Sequence, residues 1–251
     1  MFVDTHAHLY LSDFESCLDE IIERTLAKTD SVYLPNIDLD SLEPMLRLHF
    51  RYPDKFFPML GLHPCSVKAD FKQVLNTLES KLSETYWAGI GETGTDLYWD
   101  KTYWPEQVKS LEIQLSWAKD TQKPIILHCR NSLDETIEII QKAQDGRLRG
   151  IFHCFGGTIE QTRKIIDLNF GLGIGGVVTY KNSTLPQVLR QIPIEHIVLE
   201  TDSPYLAPVP LRGKLNEPAN LIYVAEKLSQ VYDLELSEIA SITSQNAQKI
   251  F

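Results

Sequence analysis

Four histidines and two carboxylates lie where short apolar runs of the chain end. They are His6, His8, Glu92, His128, His153 and Asp202. Residues two apart in an extended segment point the same way, so His6 and His8 present two imidazoles to one point. Imidazoles suit divalent transition metals, and cations keep closely packed carboxylates ionised. Six such ligands suit two divalent ions, with Glu92 bridging them.

Metal-assisted hydrolysis is the chemistry that these residue types predict. Divalent ions generate a nucleophile from water near neutral pH and polarise the bond that is attacked. We predict that Asp202 is both a metal ligand and the acceptor of the proton from the attacking water, and that Glu92 is the second catalytic carboxylate. Histidine-rich sets favour Zn, Mn, Co or Ni over Mg, and the residues leave the metal open.

The remaining histidines and two cysteines are given structural interpretations. His49 lies in a helical stretch and His196 at the start of a predicted strand. Cys129 and Cys154 are neighbours of ligand histidines, but adjacent residues of a strand point to opposite faces. We therefore predict that both cysteines are small buried core residues.

Basic and polar side chains near the same strand ends predict a site for an anionic substrate. Arg130 and Arg212 have the planar donor geometry that suits phosphate. For Arg130, a surface salt bridge is an equally weighted alternative. His63 and Tyr205 complete the predicted substrate-binding set.

Four aromatic residues follow the fourth predicted strand within seven positions. Tyr98 and Trp99 could form a platform on which bases stack, and the sequence leaves their role open. Tyr103 and Trp104 are predicted to begin the next helix and to bury part of its inner face.

Eight short β-prone runs alternate with segments of helical periodicity. The runs are Phe2–Asp4, Ser31–Pro35, Phe56–Leu62, Trp87–Gly91, Pro124–His128, Gly150–His153, Phe170–Ile174 and His196–Glu200. Eight βα units in 251 residues predict an α/β fold, a single-domain (β/α)8 TIM barrel over residues 1–251 with its site at the C-terminal ends of the strands. A doubly wound sheet is the alternative, but it usually has a glycine-rich loop after its first strand, where this chain has Thr5–His8.

Helix boundaries are predicted from capping patterns. Three pairs have capping-box spacing: Ser12 with Glu15, Ser132 with Glu135, and Thr158 with Gln161. The first pair is predicted to open a helix that ends near Lys28. The C-terminal segments Glu217–Gln230 and Leu236–Ile250 are predicted to be two closing helices.

Composition limits the classes of function. Lys and Arg number 24 against 34 Asp and Glu, giving a formal net charge of −10, which argues against a basic DNA-coating protein but not against local binding of nucleic acid. No apolar run approaches the roughly 18 residues of a membrane span. The first residues lack the pattern of a signal peptide. Four scattered cysteines are typical of reduced thiols, so a cytoplasmic location without membrane attachment is predicted.

Several longer motifs resemble the TatD family of metal-dependent hydrolases and deoxyribonucleases, within the amidohydrolase-like superfamily. They are VDTHAHL at Val3–Leu9, GLHP at Gly61–Pro64, GETGTD at Gly91–Asp96, ILHCR at Ile126–Arg130, HCFGG at His153–Gly157, ETDSPYLAP at Glu200–Pro208, RGKLNEP at Arg212–Pro218 and NAQKIF at Asn246–Phe251. The resemblance implies the same six metal ligands and activity with Mg as well. The chain departs from the family pattern at Thr95 and at Gly156 and Gly157, without loss of a ligand.

The leading functional prediction is a deoxyribonuclease. The resemblance implies 3′-to-5′ exonuclease action on DNA, and a recessed metal site favours a single strand or a strand end over a rigid duplex. The alternative is hydrolysis of another ester, a lactone or an aminoacyl-tRNA bond, because fold and metal do not determine the substrate. A binding protein without catalysis is the weakest hypothesis, since every ligand position is filled.

Overall fold

An eight-stranded parallel sheet forms the centre of the protein in the computed structural model, which describes residues 1–84 and 86–251. Its strands are β1 (Phe2–Asp4), β2 (Thr29–Pro35), β3 (Phe56–Leu60), β4 (Gly89–Asp96), β5 (Ile125–Arg130), β6 (Gly150–Phe152), β7 (Phe170–Ile174) and β8 (Ile197–Leu199). Each strand pairs in parallel with the next along the chain. This order confirms the predicted (β/α)8 barrel and rules out the doubly wound sheet.

Backbone hydrogen bonds just beyond β1 and β8 join the first strand to the last. The amide of Asp202 donates to the carbonyl oxygen of His6 (2.9 Å), and the amide of His8 donates to that of Ser203 (2.7 Å). Three of the predicted ligands are therefore held by the hydrogen bonds that close the barrel.

Nine α-helices lie among the described residues. They are α1 (Leu18–Lys28), α2 (Leu39–Arg51), α3 (Phe71–Glu79), α4 (Trp104–Thr121), α5 (Leu133–Ala143), α6 (Ile159–Asp167), α7 (Leu185–Leu189), α8 (Leu221–Tyr232) and α9 (Leu236–Ile250). Short 3-10 segments occupy Ser12–Phe14, Pro64–Ser66, Gly176–Thr179, Ile194–His196 and Pro218–Asn220. None of the helices in the described part of the chain has the length and apolarity needed to cross a membrane.

The capping predictions have different outcomes. Thr158 and Gln161 form a reciprocal capping box at α6, as predicted. The prediction at Ser12 is wrong, because a 3-10 turn there places Phe14 in the core and α1 begins only at Leu18. Ser132 does precede α5, but its hydroxyl bonds to β4 and makes no capping bond.

The predictions for the two C-terminal helices also have different outcomes. α9 has the predicted bounds. α8 begins later than predicted, at Leu221, because a 3-10 turn at Pro218–Asn220 precedes it. His196 ends a 3-10 turn immediately before β8 instead of starting the strand.

β4 is the strand that departs most from its predicted bounds. The apolar pattern predicts it at Trp87–Gly91, but it extends through the polar GETGTD motif to Asp96, with every residue buried. Pairing with β5 as far as Asp96 opposite Arg130 satisfies its backbone. A β-carbon at Gly94, whose φ is +139°, would lie 2.1 Å from the carbonyl oxygen of His128, so this position requires glycine.

Apolar side chains fill the barrel below the site. Val3, Met59 and Ile126 belong to a buried cluster drawn from several strands. The C-terminal Phe251 packs against this cluster and stacks on Tyr33 with ring centroids 3.6 Å apart. The polar residues that follow the strands therefore stand above a packed interior.

Candidate metal centre

Glu92 is the centre of the candidate site. Its side chain is 3% exposed, and Oε1 lies 2.9 Å from both Nδ1 of His128 and Nε2 of His153. Oε2 lies 3.1 Å from Nε2 of His6 and 3.4 Å from Nε2 of His8. The two carboxylate oxygens thus face two different pairs of imidazoles, as a bridging ligand would.

Asp202 completes the predicted set of six. Its Oδ1 lies 3.7 Å from Nε2 of His6 and 3.6 Å from Nε2 of His8. Its φ is +54°, a left-handed conformation that aspartate tolerates better than most residues. Both carboxylates line the open cleft, but the side chain of Asp202 is 15% exposed against 3% for Glu92, so Asp202 is the more accessible of the two to a substrate.

His63 lies closer to the cluster than a substrate-binding role requires. Its Nε2 is 3.3 Å from Oε1 of Glu92 and 3.3 Å from Nδ1 of His128. Its own Nδ1 accepts the amide of Cys65, which leaves Nε2 carrying a proton when the ring is neutral. Three overlapping donor groups lie within metal-binding reach: His6–His8–Glu92, His6–His153–Asp202 and His63–Glu92–His128.

A tyrosine sets the orientation of His8. The hydroxyl of Tyr10 donates to the carbonyl oxygen of Pro35, so its oxygen accepts from Nδ1 of His8 at 2.8 Å. With the proton on Nδ1, Nε2 of the neutral imidazole has no proton and faces Glu92. A nitrogen without a proton is the form that binds a metal. Sequence reasoning missed Tyr10, although it continues the every-second-residue spacing of His6 and His8.

Asp96 orients His128 in the same way. Its Oδ2 lies 2.9 Å from Nε2 of His128, so Nδ1 faces Glu92 without a proton. Its Oδ1 accepts the amides of Tyr98 (2.7 Å) and Trp99 (2.9 Å). Burial would raise the pKa of Asp96, but these hydrogen bonds hold it well below its ordinary value. Sequence reasoning missed Asp96, which lies four residues after Glu92 in β4.

Two further buried carboxylates support the cluster. Glu200 accepts the amide of Cys154 and lies 3.6 Å from Nδ1 of His153. A β-carbon at Gly173 would come within 2.0 Å of Glu200, so the glycine makes room for it. Asp4 accepts amides from both sides of the barrel closure, and burial raises its pKa to about 7.

The charge balance of the cluster suits divalent cations. Burial would raise the pKa of Glu92, but positive charge on His153, His63 and His6 holds it well below its ordinary value. Burial opposes a proton on His8, yet hydrogen bonds with Asp202 and Glu92 raise its pKa to about 9. Protons on imidazoles thus balance the carboxylates, and metal ions bind in competition with such protons.

Imidazole nitrogens also lie close to one another around Glu92. Nε2 of His6 lies 3.1 Å from Nε2 of His8, and Nε2 of His153 lies 3.4 Å from Nδ1 of His128. Nδ1 of His6 and Nδ1 of His153 are buried with no hydrogen-bond partner among the described residues. Imidazole nitrogens and carboxylate oxygens that converge in this way are the donors that divalent transition metals prefer, so these residues could hold divalent metal.

A cleft of about 1170 Å³ opens above the cluster. Its lining includes all four predicted substrate-binding residues, namely His63, Arg130, Tyr205 and Arg212. It also includes Cys129 and Cys154, which are therefore not fully buried as predicted, although Cys129 packs against the hydrophobic core. Both are half-buried, and Cys154 turns toward the cleft with φ +48°. His49 is buried, with Nδ1 bonded to the carbonyl oxygen of Phe56, and is structural as predicted.

An arginine and two aromatic rings form one side of the rim. The Arg130 guanidinium carbon lies 4.0 Å from the ring centroid of Tyr98 and 5.2 Å from that of Trp99. The rings are 51% and 66% exposed. No carboxylate among the described residues lies within 4.0 Å of Arg130, so it makes no surface salt bridge there. Trp104 begins α4 and Tyr103 is the residue just before it, close to the predicted start, but both are only half-buried.

The parallel barrel carries a buried histidine–carboxylate cluster at its C-terminal mouth, an arrangement that fits a metal-dependent hydrolase. A family model described as TatD related DNase matches residues 3–251. The chain belongs to this TatD family of metal-dependent hydrolases.

Individual relatives agree along the whole chain. The uncharacterized metal-dependent hydrolase YabD of Bacillus subtilis is 34% identical over 253 residues, covering 100% of this chain and 99% of its own. The crystal structure of YjjV, a TatD homolog from Escherichia coli, has a TM-score of 0.93 at 26% identity and covers 100% of this chain and 97% of its own. A TatD family hydrolase from Entamoeba histolytica shares the fold, with a TM-score of 0.84 at 20% identity, covering 100% and 97%.

Proposed function

We propose that this metal-dependent hydrolase is a deoxyribonuclease, a 3′-to-5′ exonuclease that acts on single strands or strand ends. The observation that carries the proposal is the rim, where Arg130 lies against Tyr98 and Trp99 at the edge of the metal cleft. Aromatic faces stack bases without regard to sequence, and a guanidinium binds phosphate. The description of the matching family as TatD related DNase supports the same substrate class.

In this proposal the cluster holds two divalent ions, with Zn, Mn or Mg as candidates. The ligands are His6, His8, Glu92, His128, His153 and Asp202. When bound, such ions activate water and polarise the scissile phosphate. Glu92 contacts both pairs of imidazoles and holds the two halves of the site together.

The remaining steps belong to side chains of the cleft. Asp202, the exposed carboxylate, accepts the proton of the attacking water. His63, with Nε2 protonated, donates a hydrogen bond to a phosphate oxygen. Arg130 donates hydrogen bonds to a phosphate oxygen at the rim, and Tyr98 and Trp99 hold a base. Tyr205, which is 51% exposed, also lines the cleft.

The acidic charge of the whole chain is consistent with action at strand ends. A net charge of −10 gives no broad field for duplex binding. The cluster is buried at the mouth of a barrel, and a strand end enters a recess more easily than a continuous helix. The four free thiols support a cytoplasmic location.

The test offers a linear single strand, a blunt duplex and a closed single-stranded circle of the same sequence to the metal-loaded protein. We expect the linear strand to be degraded fastest, with mononucleotides released from its 3′ end. Equal rates on circle and linear strand would contradict the need for an end, and faster cutting of the duplex would contradict the preference for single strands. Turnover of aryl esters, lactones or aminoacyl-tRNA without cutting of DNA would favour the alternative substrate class.

A further inference from the structure

A second cavity adjoins the metal cleft at the segments that follow β7 and β8. It has a volume of about 370 Å³ and is lined by six residues: Val177, Tyr180, Lys181, Asn182, Ser183 and Arg212. Three of them, Val177, Tyr180 and Arg212, also line the metal cleft. A ligand can therefore occupy both spaces at once.

The chemistry of this side cavity favours an anion. Its lining contains two cations and no carboxylate, in a chain of net charge −10. Neither Lys181 nor Arg212 has a carboxylate within 4.0 Å among the described residues. Asn182 and Ser183 add polar side chains to the lining. Such a set suits a phosphate better than a base. The one aromatic ring in this lining, that of Tyr180, already has the Arg212 guanidinium over it and is not free to stack a base.

Arg212 is positioned by a fixed ring. Its guanidinium carbon lies 4.6 Å from the ring centroid of Tyr180. The hydroxyl of Tyr180 donates to the carbonyl oxygen of Ala207 (3.1 Å), and the amide of Val209 donates to Oγ1 of Thr179 (2.9 Å). These bonds join the segment after β7 to the segment after β8. In (β/α)8 barrels the loops after the seventh and eighth strands frequently form a phosphate site.

We propose that this side cavity is a second phosphate subsite, in which Lys181 and Arg212 bind the phosphate on the 5′ side of the scissile one. The proposal rests on the proposed function, because an exonuclease that places the 3′ end in the metal cleft leaves only 5′ phosphates for neighbouring subsites. The two sides of the cleft then divide the substrate: aromatic rings beside Arg130 take a base, and the side cavity takes a backbone phosphate.

The test uses three short substrates with one scissile bond in common. They are the dinucleotide d(TpT), the trinucleotide d(TpTpT), and the same trinucleotide with a neutral methylphosphonate in place of its 5′ phosphate. For the unsubstituted protein we expect KM for d(TpTpT) to be about 10-fold below that of the other two, since a hydrogen bond to a charged group contributes on this scale. Lys181→Gln and Arg212→Gln should each reduce this preference without a matching fall in kcat.

Two matched variants provide the controls. Arg163→Gln and Lys164→Gln remove the same charges from the exposed face of α6 and should retain the preference for d(TpTpT). Equal KM values for the three substrates, or an unchanged preference in Lys181→Gln, would overturn the subsite while leaving the nuclease function intact.

A measurement of oligonucleotide binding distinguishes failure of the subsite proposal from failure of the proposed function. If the protein cleaves none of the three substrates, the proposed function is wrong, and the affinity for fluorescein-labelled dT4 against salt concentration still decides the subsite. Loss of one phosphate contact lowers the slope of log affinity against log salt by about 0.7 for a single strand. An unchanged slope and affinity in Lys181→Gln would overturn the subsite.

Discussion

The metal cluster and the rim of the cleft are built in opposite ways. The cluster lies on strand ends, with Glu92 3% exposed and its histidines oriented by Tyr10 and Asp96. At the rim, Tyr98 and Trp99 lie in the loop after β4, Trp99 is 66% exposed, and both rings contact the guanidinium of Arg130 at the end of β5. Because rigid, mutually bonded groups fix the position of reacting atoms, we expect changes in the cluster to affect turnover and changes at the rim to affect KM.

Asp202→Asn should reduce turnover most strongly, because it changes the cluster itself. The side chain keeps its size and loses the charge that binds metal and accepts a proton, so kcat should fall about 10²- to 10⁴-fold. The measurement is kcat with saturating substrate and metal. Asp233→Asn is a matched control, because Asp233 is exposed and has the same left-handed φ (+55°). Turnover within a few-fold of the unsubstituted protein would remove Asp202 from the mechanism.

Asp96→Asn should have an intermediate effect through His128. The amide can still accept the backbone amides of Tyr98 and Trp99, but its NH2 group cannot accept from Nε2 of His128. The imidazole then loses the partner that fixes its tautomer, and metal affinity or activity should fall about 10- to 100-fold. Titration of metal against activity checks this.

Asp100→Asn, four residues further along the chain in the loop after β4, is the control for Asp96→Asn. Asp100 contacts Lys68 and the amide of Thr102, outside the cluster, so this variant should keep its metal affinity. If Asp96→Asn titrates like the unsubstituted protein, His128 does not depend on Asp96 for its orientation.

Trp99→Ala should raise KM for a single strand with little change in kcat. Stacking contributes about 1–3 kcal/mol per base. Since Tyr98 stays in place, we expect the lower end, a 5- to 10-fold rise. Phe50→Ala serves as the control, because Phe50 is 62% exposed on α2 and does not line the cleft. If Trp99→Ala changed only kcat, Trp99 would take part in the hydrolytic step. The expectation that rim residues affect KM and cluster residues affect turnover would then be wrong.

Arg130→Lys should give the smallest effect. The positive charge stays, but the planar group that lies over Tyr98 is lost, and exposed cation–π contacts contribute only about 0.5–1 kcal/mol. We expect KM to rise about 2- to 5-fold, measured on the same single strand. Arg130→Gln, which also removes the charge, should raise KM further. Identical kinetics for both variants would show that Arg130 does not bind phosphate.

The barrel and the grouping of the four histidines and two carboxylates at one end of it were predictable because they follow from local patterns. Apolar runs located all eight strands, and parallel strands bring their C-terminal ends together. The end of β4 was missed because Glu92 to Asp96 is a polar run buried inside the barrel, and hydrophobic periodicity does not register such residues.

The supporting residues could not be predicted for a different reason. Tyr10 and Asp96 act through single hydrogen bonds to His8 and His128, and which atoms meet depends on three-dimensional register. Ser12 has the spacing of a capping box, but the burial of Phe14 overrides it. Tertiary packing thus decides the details that local spacing leaves open.

The central proposal is that divalent metal held around Glu92 drives hydrolysis. It is tested most directly by measuring metal content and turnover on the same samples. The protein is dialysed against chelator, reloaded stepwise with Zn, Mn or Mg, and assayed at each step on a chromogenic phosphodiester and on a linear single strand. We expect turnover to disappear with the metal and to return with occupancy up to two ions per chain. Glu92→Gln should bind less metal and lose about 10³-fold in turnover. Full activity in the chelated protein, or normal metal content and turnover in Glu92→Gln, would contradict a metal-driven mechanism.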